Sequence, residues 1–277
     1  MTQEQLLEGT VIAVDKPWQW TSFQVVNRIK AAIRNTYGIK NFKIGHAGTL
    51  DPLATGLLLV CVGKATKRID ELQGGEKRYS GTMVLGATTP CYDRERPIDR
   101  YYPYRHLTGD LVGRTASQFV GLIEQVPPIF SAVKINGQRA YSYAREAKEG
   151  EPVPSPTPKR VLVREFDITA FRPGVGEPET DGLQEGHHTM PATEATETAT
   201  RQTHLYNQPL CTVPTWLPTA DFRICCGKGT YVRSLARDLG AALDSGAFLA
   251  SLRREQVGEY TLDNAITLDE IAEFLKQ

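Results

Sequence analysis

Apolar residues recur at helical spacing through Val25, Val26, Ile29, Ala32 and Ile33. This stripe predicts a helix begun by Ser22 as its N-cap and ended at Gly38. Leu235, Ala236, Leu239 and Leu243 repeat the pattern over residues 234–243. Near the C-terminus, Thr267 and Glu270 have capping-box spacing, and Ile266 with Ile271 can staple the start of a last helix. Strand-like runs lie between these segments: TVIAVD, GLLLVCVG, RYSGTMVLG, and SAVKI–QRAY folded back through Asn136-Gly137. VLVREFDITAFR and ADFRICC can pair as one further hairpin. Strands outnumber helices and tight turns join many of them. The pattern therefore predicts an α+β fold, a largely antiparallel mixed central sheet flanked by helices, with no internal repeat.

Two stretches fall outside that pattern. Residues 1–9 read as an N-terminal tail before a catalytic domain spanning 10–277. Residues 174–221 are Thr-rich and Pro-interrupted, without helix or strand period, and read as a mobile insertion at the tip of the predicted hairpin. The chain has 32 Lys+Arg and 32 Asp+Glu, a balance that by itself argues against a nucleic-acid partner. The insertion changes that reading, because it holds seven acids and one base, Arg201. The other 229 residues carry 31 bases against 25 acids, a moderately basic surface suited to an anionic partner.

The longest apolar run, Leu57 to Val62, is six residues, against roughly 20 for a membrane span, so no membrane role is expected. Residues 1–9 lack the positive patch and apolar core of a secretion signal. Five cysteines without C-x-x-C spacing, and five histidines without H-x-x-x-H pairing, fit a cytoplasmic chain with no metal site. Gly63-Lys64 fails as a phosphate loop, since Leu58 stands where the first glycine belongs and Ala65 where Ser or Thr belongs. Gly227-Lys228-Gly229 lacks the third glycine of a dinucleotide loop. Nucleotide hydrolysis and nicotinamide redox chemistry lose their support.

Lys43 to Arg68, KIGHAGTLDPLATGLLLVCVGKATKR, is the most informative stretch. It places the carboxylate of Asp51 in a loop bounded by Gly48 and Gly56, with a hydrophobic strand following. A carboxylate partly shielded from water is a candidate nucleophile. Asp-Pro also suits a plain helix start, with Asp51 as cap and Pro52 at the first position.

In its order of residues, GHAGTLDPLATGLLLVCVGKATK resembles the catalytic motif of the TruB family of tRNA pseudouridine synthases. Five further blocks resemble that family in the same order: DKPWQWTS, KRYSGTMVLG, PPIFSAVKINGQRAYSYAR, GKGTYVRSLARDLG and SLRRE. Together they cover residues 10–172 and 222–272. Trp20 stands where the family usually has Gly, and Thr89-Pro90-Cys91 replaces its Thr-Asp-Thr.

The resemblance implies isomerisation of uridine 55 in the T loop of tRNA, by a monomer that needs no cofactor. Asp51 is then the catalytic aspartate and Arg233 the cation expected to pair with it. Tyr79 would stack on the uracil near C5, Tyr231 would line the pocket, and Leu252 would pack against the base. His46 would fill the space that the flipped base vacates. Lys16 would bind substrate, and Lys64, Lys67, Arg68, Lys228, Arg253 and Arg254 with it would contact phosphates. Many relatives add a C-terminal PUA-like RNA-binding domain. With 23 residues after Arg254, this chain is expected to lack one and to bind tRNA more weakly. The rival readings are a non-catalytic RNA-binding or tRNA-folding protein on the same scaffold, and a synthase for other RNA uridines.

Overall fold

The structure is a computed structural model that describes residues 2–131, 133–135, 137–140, 142–143, 154–176 and 210–276. The elements run α1 (Gln3–Gly9), β1 (Thr10–Lys16), α2 (Ser22–Tyr37), β2 (Ile44–Ala47) and β3 (Ala54–Val62). A 3-10 stretch, Gly63–Arg68, leads into α3 (Ile69–Gly74), β4 (Lys77–Leu85), β5 (Ala87–Thr88), β6 (Arg100–Tyr101) and α4 (Gly109–Ser117). There follow β7 (Gly121–Gln125), β8 (Lys134–Ile135), β9 (Gln138–Arg139), β10 (Lys159–Arg172), β11 (Thr219–Cys226) and α5 (Val232–Ala242). The chain ends through β12 (Ala247–Val257), β13 (Tyr260–Thr261) and α6 (Ile271–Phe274). The strands are mixed but mostly antiparallel, as expected. Among the described residues, no helix is long and apolar enough to cross a membrane.

The chain forms two compact units, and the division falls inside β4, after Ser80, and inside β12, after Ser251. In the first unit β3 is the central strand. β1 lies antiparallel along its whole length on one edge. The other edge is shared, by antiparallel β2 at Leu59–Val62 and by parallel β12 at Ala54–Gly56. Both faces of β3 are covered, which explains a continuous apolar run in place of an alternating one. Leu58, Val60 and Val62 pack with Val25, Ile29 and Ile33 of α2, while Leu57, Leu59 and Cys61 pack with Ala47, Leu72 and Val257.

α2 follows from its sequence, with its apolar stripe buried and Gly38 closing it in the left-handed conformation at φ 69°. Its N-cap is Thr21, not Ser22: Thr21 Oγ1 accepts from the Gln24 amide, and Gln24 returns the bond. Residues 1–9, expected as a tail, are instead a capped helix whose Leu6 is fully buried. Leu6 and Leu7 are adjacent and Met1 is the only apolar residue before them, so nine residues give no helical period to read, and packing alone shows the helix. Of the box expected at Thr267 only one half is present: the Thr267 amide and hydroxyl both donate to Glu270, while the helix starts at Ile271 with Glu270 as its N-cap and no side-chain cap bond.

In the second unit, β7 pairs with β10 and β10 with β11, all antiparallel. The hairpin expected from VLVREFDITAFR and ADFRICC is thus present, as is the small one of β8 and β9. The insertion expected at 174–221 is shorter at both ends. The Val175 amide bonds the Thr215 carbonyl, Cys211 and Leu217 are buried in the core with Phe248, and β11 has begun by Thr219. Residues 177–209, the rest of that stretch, lie outside the described residues.

Candidate active site

The loop that carries Asp51 leaves β2 at Ala47 and enters β3 at Ala54. It is a turn, not the helix start that Asp-Pro also allowed; the Ala54 amide closes it on the Asp51 carbonyl at 3.1 Å. Buried side chains from three other elements hold its backbone. Ser22 Oγ accepts from the Leu50 amide at 2.9 Å and donates to the Leu50 carbonyl at 3.2 Å. Lys16 Nζ donates to the carbonyls of Trp20, Pro17 and Pro52 at 2.6, 2.9 and 3.2 Å. The Arg254 guanidinium donates to Leu57 at 2.7 Å and Gly48 at 3.0 Å. Asp51 is thus half-buried on a loop whose neighbours on both sides are fixed.

Lys16 and Arg254 are 0% and 1% exposed, so neither is the surface phosphate contact expected from sequence. Each spends its donors on carbonyls around Asp51. Their charge still acts there: Lys16 is pulled down to about 7 by burial, with Asp51 opposing that shift and Arg254 adding to it. Gly56 makes the arrangement possible. It sits opposite Lys16 on one side and Arg254 on the other, at φ +99°, where a Cβ would lie 2.2 Å from the Arg254 carbonyl oxygen.

The strand register places Leu252 directly opposite Ala54, three residues beyond Asp51. His46 sits on β2 opposite Val60, half-buried, and burial followed by the Arg254 charge lowers its pKa. The imidazole is therefore neutral near pH 7. Tyr79 lies buried on β4. Beside it, Ser80 donates to Glu255 of β12 at 2.6 Å.

The second unit holds Tyr231 and Arg233 at the start of α5. The Tyr231 amide donates to Gln125 Oε1 at 2.8 Å and its carbonyl accepts from Gln125 Nε2, which anchors the helix on β7. Arg233 is buried. It donates to the carbonyls of Cys91 at 3.2 Å and Phe130 at 3.0 Å, and it lies 3.7 Å from Asp93. The Thr89-Pro90-Cys91 segment, where the family motif is altered, therefore builds part of the Arg233 setting. Sequence reading missed Ser22, which looked like a helix cap, and Asp93, which nothing in its local pattern marks.

The remaining basic candidates are surface residues. Lys64 pairs with Glu8 and Arg68 with Glu71, both exposed. Arg253 grips Asp15 through two bonds of 3.1 and 2.8 Å while still 40% exposed. Lys67 and Lys228 are exposed. Among the described residues, no group of three His, Cys, Asp or Glu is placed to hold a metal.

Known proteins resemble this chain over its whole length. Residues 34–180 match the TruB family pseudouridylate synthase N-terminal domain, and residues 233–277 the tRNA pseudouridylate synthase B C-terminal domain. The tRNA pseudouridine synthase B of Flavobacterium johnsoniae is 43% identical over 277 residues, covering 100% of both chains. That of Phocaeicola vulgatus is 40% identical over 98% of this chain and 94% of its own. A chain of the Cbf5–Nop10–Gar1 complex superposes with a TM-score of 0.60 at 23% identity, a likeness of fold. It covers 99% of this chain, which spans 57% of that longer one. The two matched domains and the full-length relatives lead to one conclusion: the chain belongs to the TruB family of pseudouridylate synthases, which are isomerases.

Proposed function

We propose that the chain isomerises uridine 55 in the T loop of tRNA to pseudouridine, acting as a cytoplasmic monomer. The observation that carries this reading is the Asp51 loop, clamped by Lys16, Ser22 and Arg254, in a chain alike over its full length to enzymes named tRNA pseudouridine synthase B. The reaction breaks the N1–C1′ glycosidic bond, turns the uracil and joins C5 to C1′, after which the C5 proton leaves and N1 gains one. Substrate and product are isomers of equal oxidation state, so the reaction needs neither an electron carrier nor an energy source.

Asp51 is the nucleophile, attacking the ribose or the base. A nucleophile must be held within a few tenths of an ångström of its target, and a loop fixed through four of its backbone groups meets that need. Tyr79 stacks on the uracil and Leu252 packs against it, since a flipped base is held by aromatic and apolar walls. Neutral His46 takes the position the uracil leaves, where an uncharged flat ring can stack. The roles expected for Tyr231 and Arg233 from the family resemblance belong to the same proposal. Lys64, Lys67, Arg68, Lys228 and Arg253 meet phosphates, which can displace Glu8 or Glu71 from exposed pairs at little cost.

The test is to incubate an unmodified tRNA transcript with the protein and map pseudouridine by carbodiimide adducts and reverse transcription. A single new stop at uridine 55 is expected. Modification at other uridines overturns the position, and binding without modification overturns the enzyme reading in favour of an RNA-folding protein.

A further inference from the structure

Two enclosed polar atoms in the second unit, Arg96 Nε and Ser131 Oγ, have no hydrogen-bond partner among the described residues. Both belong to one cluster around Phe130. The Arg96 guanidinium stands over the Phe130 ring, 6.0 Å from its centre, and Ser131 is the next residue and is buried. The Phe130 carbonyl accepts from Arg233 at 3.0 Å. Asp93 is fixed in the same turn as Arg96: its Oδ1 accepts from the Glu95 amide at 2.9 Å, and its Oδ2 lies 3.7 Å from Arg233. Two guanidiniums thus meet at one residue, beside one carboxylate that already faces Arg233.

Leaving a guanidinium N–H enclosed and unsatisfied is costly, and a hydroxyl likewise, so each of these groups calls for a completing partner. A guanidinium offers donors only, so the completing group is an acceptor. Beside a second cation it is an anion. We propose that Arg96 and Ser131 form a binding subsite for a backbone phosphate of the RNA substrate, with the Phe130 ring holding the guanidinium plane in place. This deepens the proposed function, on whose RNA substrate it rests.

The test measures binding of a T-arm RNA hairpin over a range of salt concentrations, with Asp51→Asn as the parent so that the RNA is not turned over. Arg96→Ala should raise Kd about tenfold at low salt and flatten the slope of log K against log salt by about 0.7 to 0.9, the release from one phosphate. Arg96→Lys should retain the slope while losing part of the affinity, and Ser131→Ala should raise Kd with the slope unchanged. Parental Kd and slope in Arg96→Ala would overturn the subsite. So would a weaker Kd at unchanged slope together with a lower Tm, the mark of a merely structural arginine. If wild-type protein fails to isomerise tRNA while Arg96→Ala still shows the slope change, the synthase reading falls and the phosphate subsite stands.

Discussion

The buried ammonium of Lys16 donates to the carbonyl of Pro52 at 3.2 Å, one residue beyond Asp51. A cation on β1 therefore sets the exit of the loop that carries the carboxylate. Lys16→Met removes the donor to three carbonyls while keeping the aliphatic stem. Each buried acceptor left unsatisfied costs about 1–3 kcal/mol. We expect a lower Tm and a kcat reduced at least tenfold, checked by thermal unfolding and single-turnover kinetics.

Lys16 also gives stability a pH dependence of defined sign. Burial lowers it from 10.5 to about 7 in the folded chain, so between those values the unfolded chain binds more protons. Stability then rises with pH across that window and is lost as pH falls through 7. Urea midpoints should be higher at pH 9 than at pH 7 for wild type, and this difference should shrink in Lys16→Met.

Arg253 and Arg254 are sequence neighbours with opposite settings, and their variants should separate cleanly. Arg254→Ala leaves the enclosed carbonyls of Gly48 and Leu57 without their donor and should cost about 3 kcal/mol or more. Arg253→Ala removes a partly exposed pair with Asp15 and should cost under about 1 kcal/mol. Denaturant unfolding of the two proteins measures the difference.

Gly56→Ala should abolish the folded state. Its Cβ would lie 2.2 Å from the Arg254 carbonyl oxygen and 2.8 Å from the Arg254 amide nitrogen, both backbone atoms that cannot swing aside. Soluble expression and a cooperative melt report the outcome.

Asp93→Asn tests the Arg233 setting. Breaking one side of a buried ion pair costs about 3–5 kcal/mol when the other charge stays enclosed. Here Arg233 keeps the carbonyls of Cys91 and Phe130, so we expect the low end of that range, with kcat falling more than KM rises. Urea unfolding and steady-state kinetics read the two effects.

Where local pattern decides structure, the sequence was legible. The stripe of α2, the stop at Gly38 and the pairing of β10 with β11 all appear as expected. Asp51 was singled out by the order of residues around it, through the family resemblance, because its local Asp-Pro pattern equally allowed a plain helix start. Lys16 and Arg254 were misplaced because a basic residue looks the same in sequence whether it faces water or a ring of carbonyls. Their partners Trp20, Pro52, Gly48 and Leu57 are brought together only by the pairing of β1 and β12 on β3. Ser22 was read one position off for a related reason: cap and loop anchor are adjacent hydroxyls, and only the Leu50 contact distinguishes them.

The central claim is that Asp51 isomerises a tRNA uridine, and release of tritium from a T-arm RNA labelled at C5 of its uridines measures it most directly. Joining C5 to C1′ must expel the C5 hydrogen. Purified protein without added cofactor should release about one equivalent per RNA, and Asp51→Asn should release none while still binding. Binding by wild type without release from either the T-arm RNA or full-length unmodified tRNA would contradict the claim.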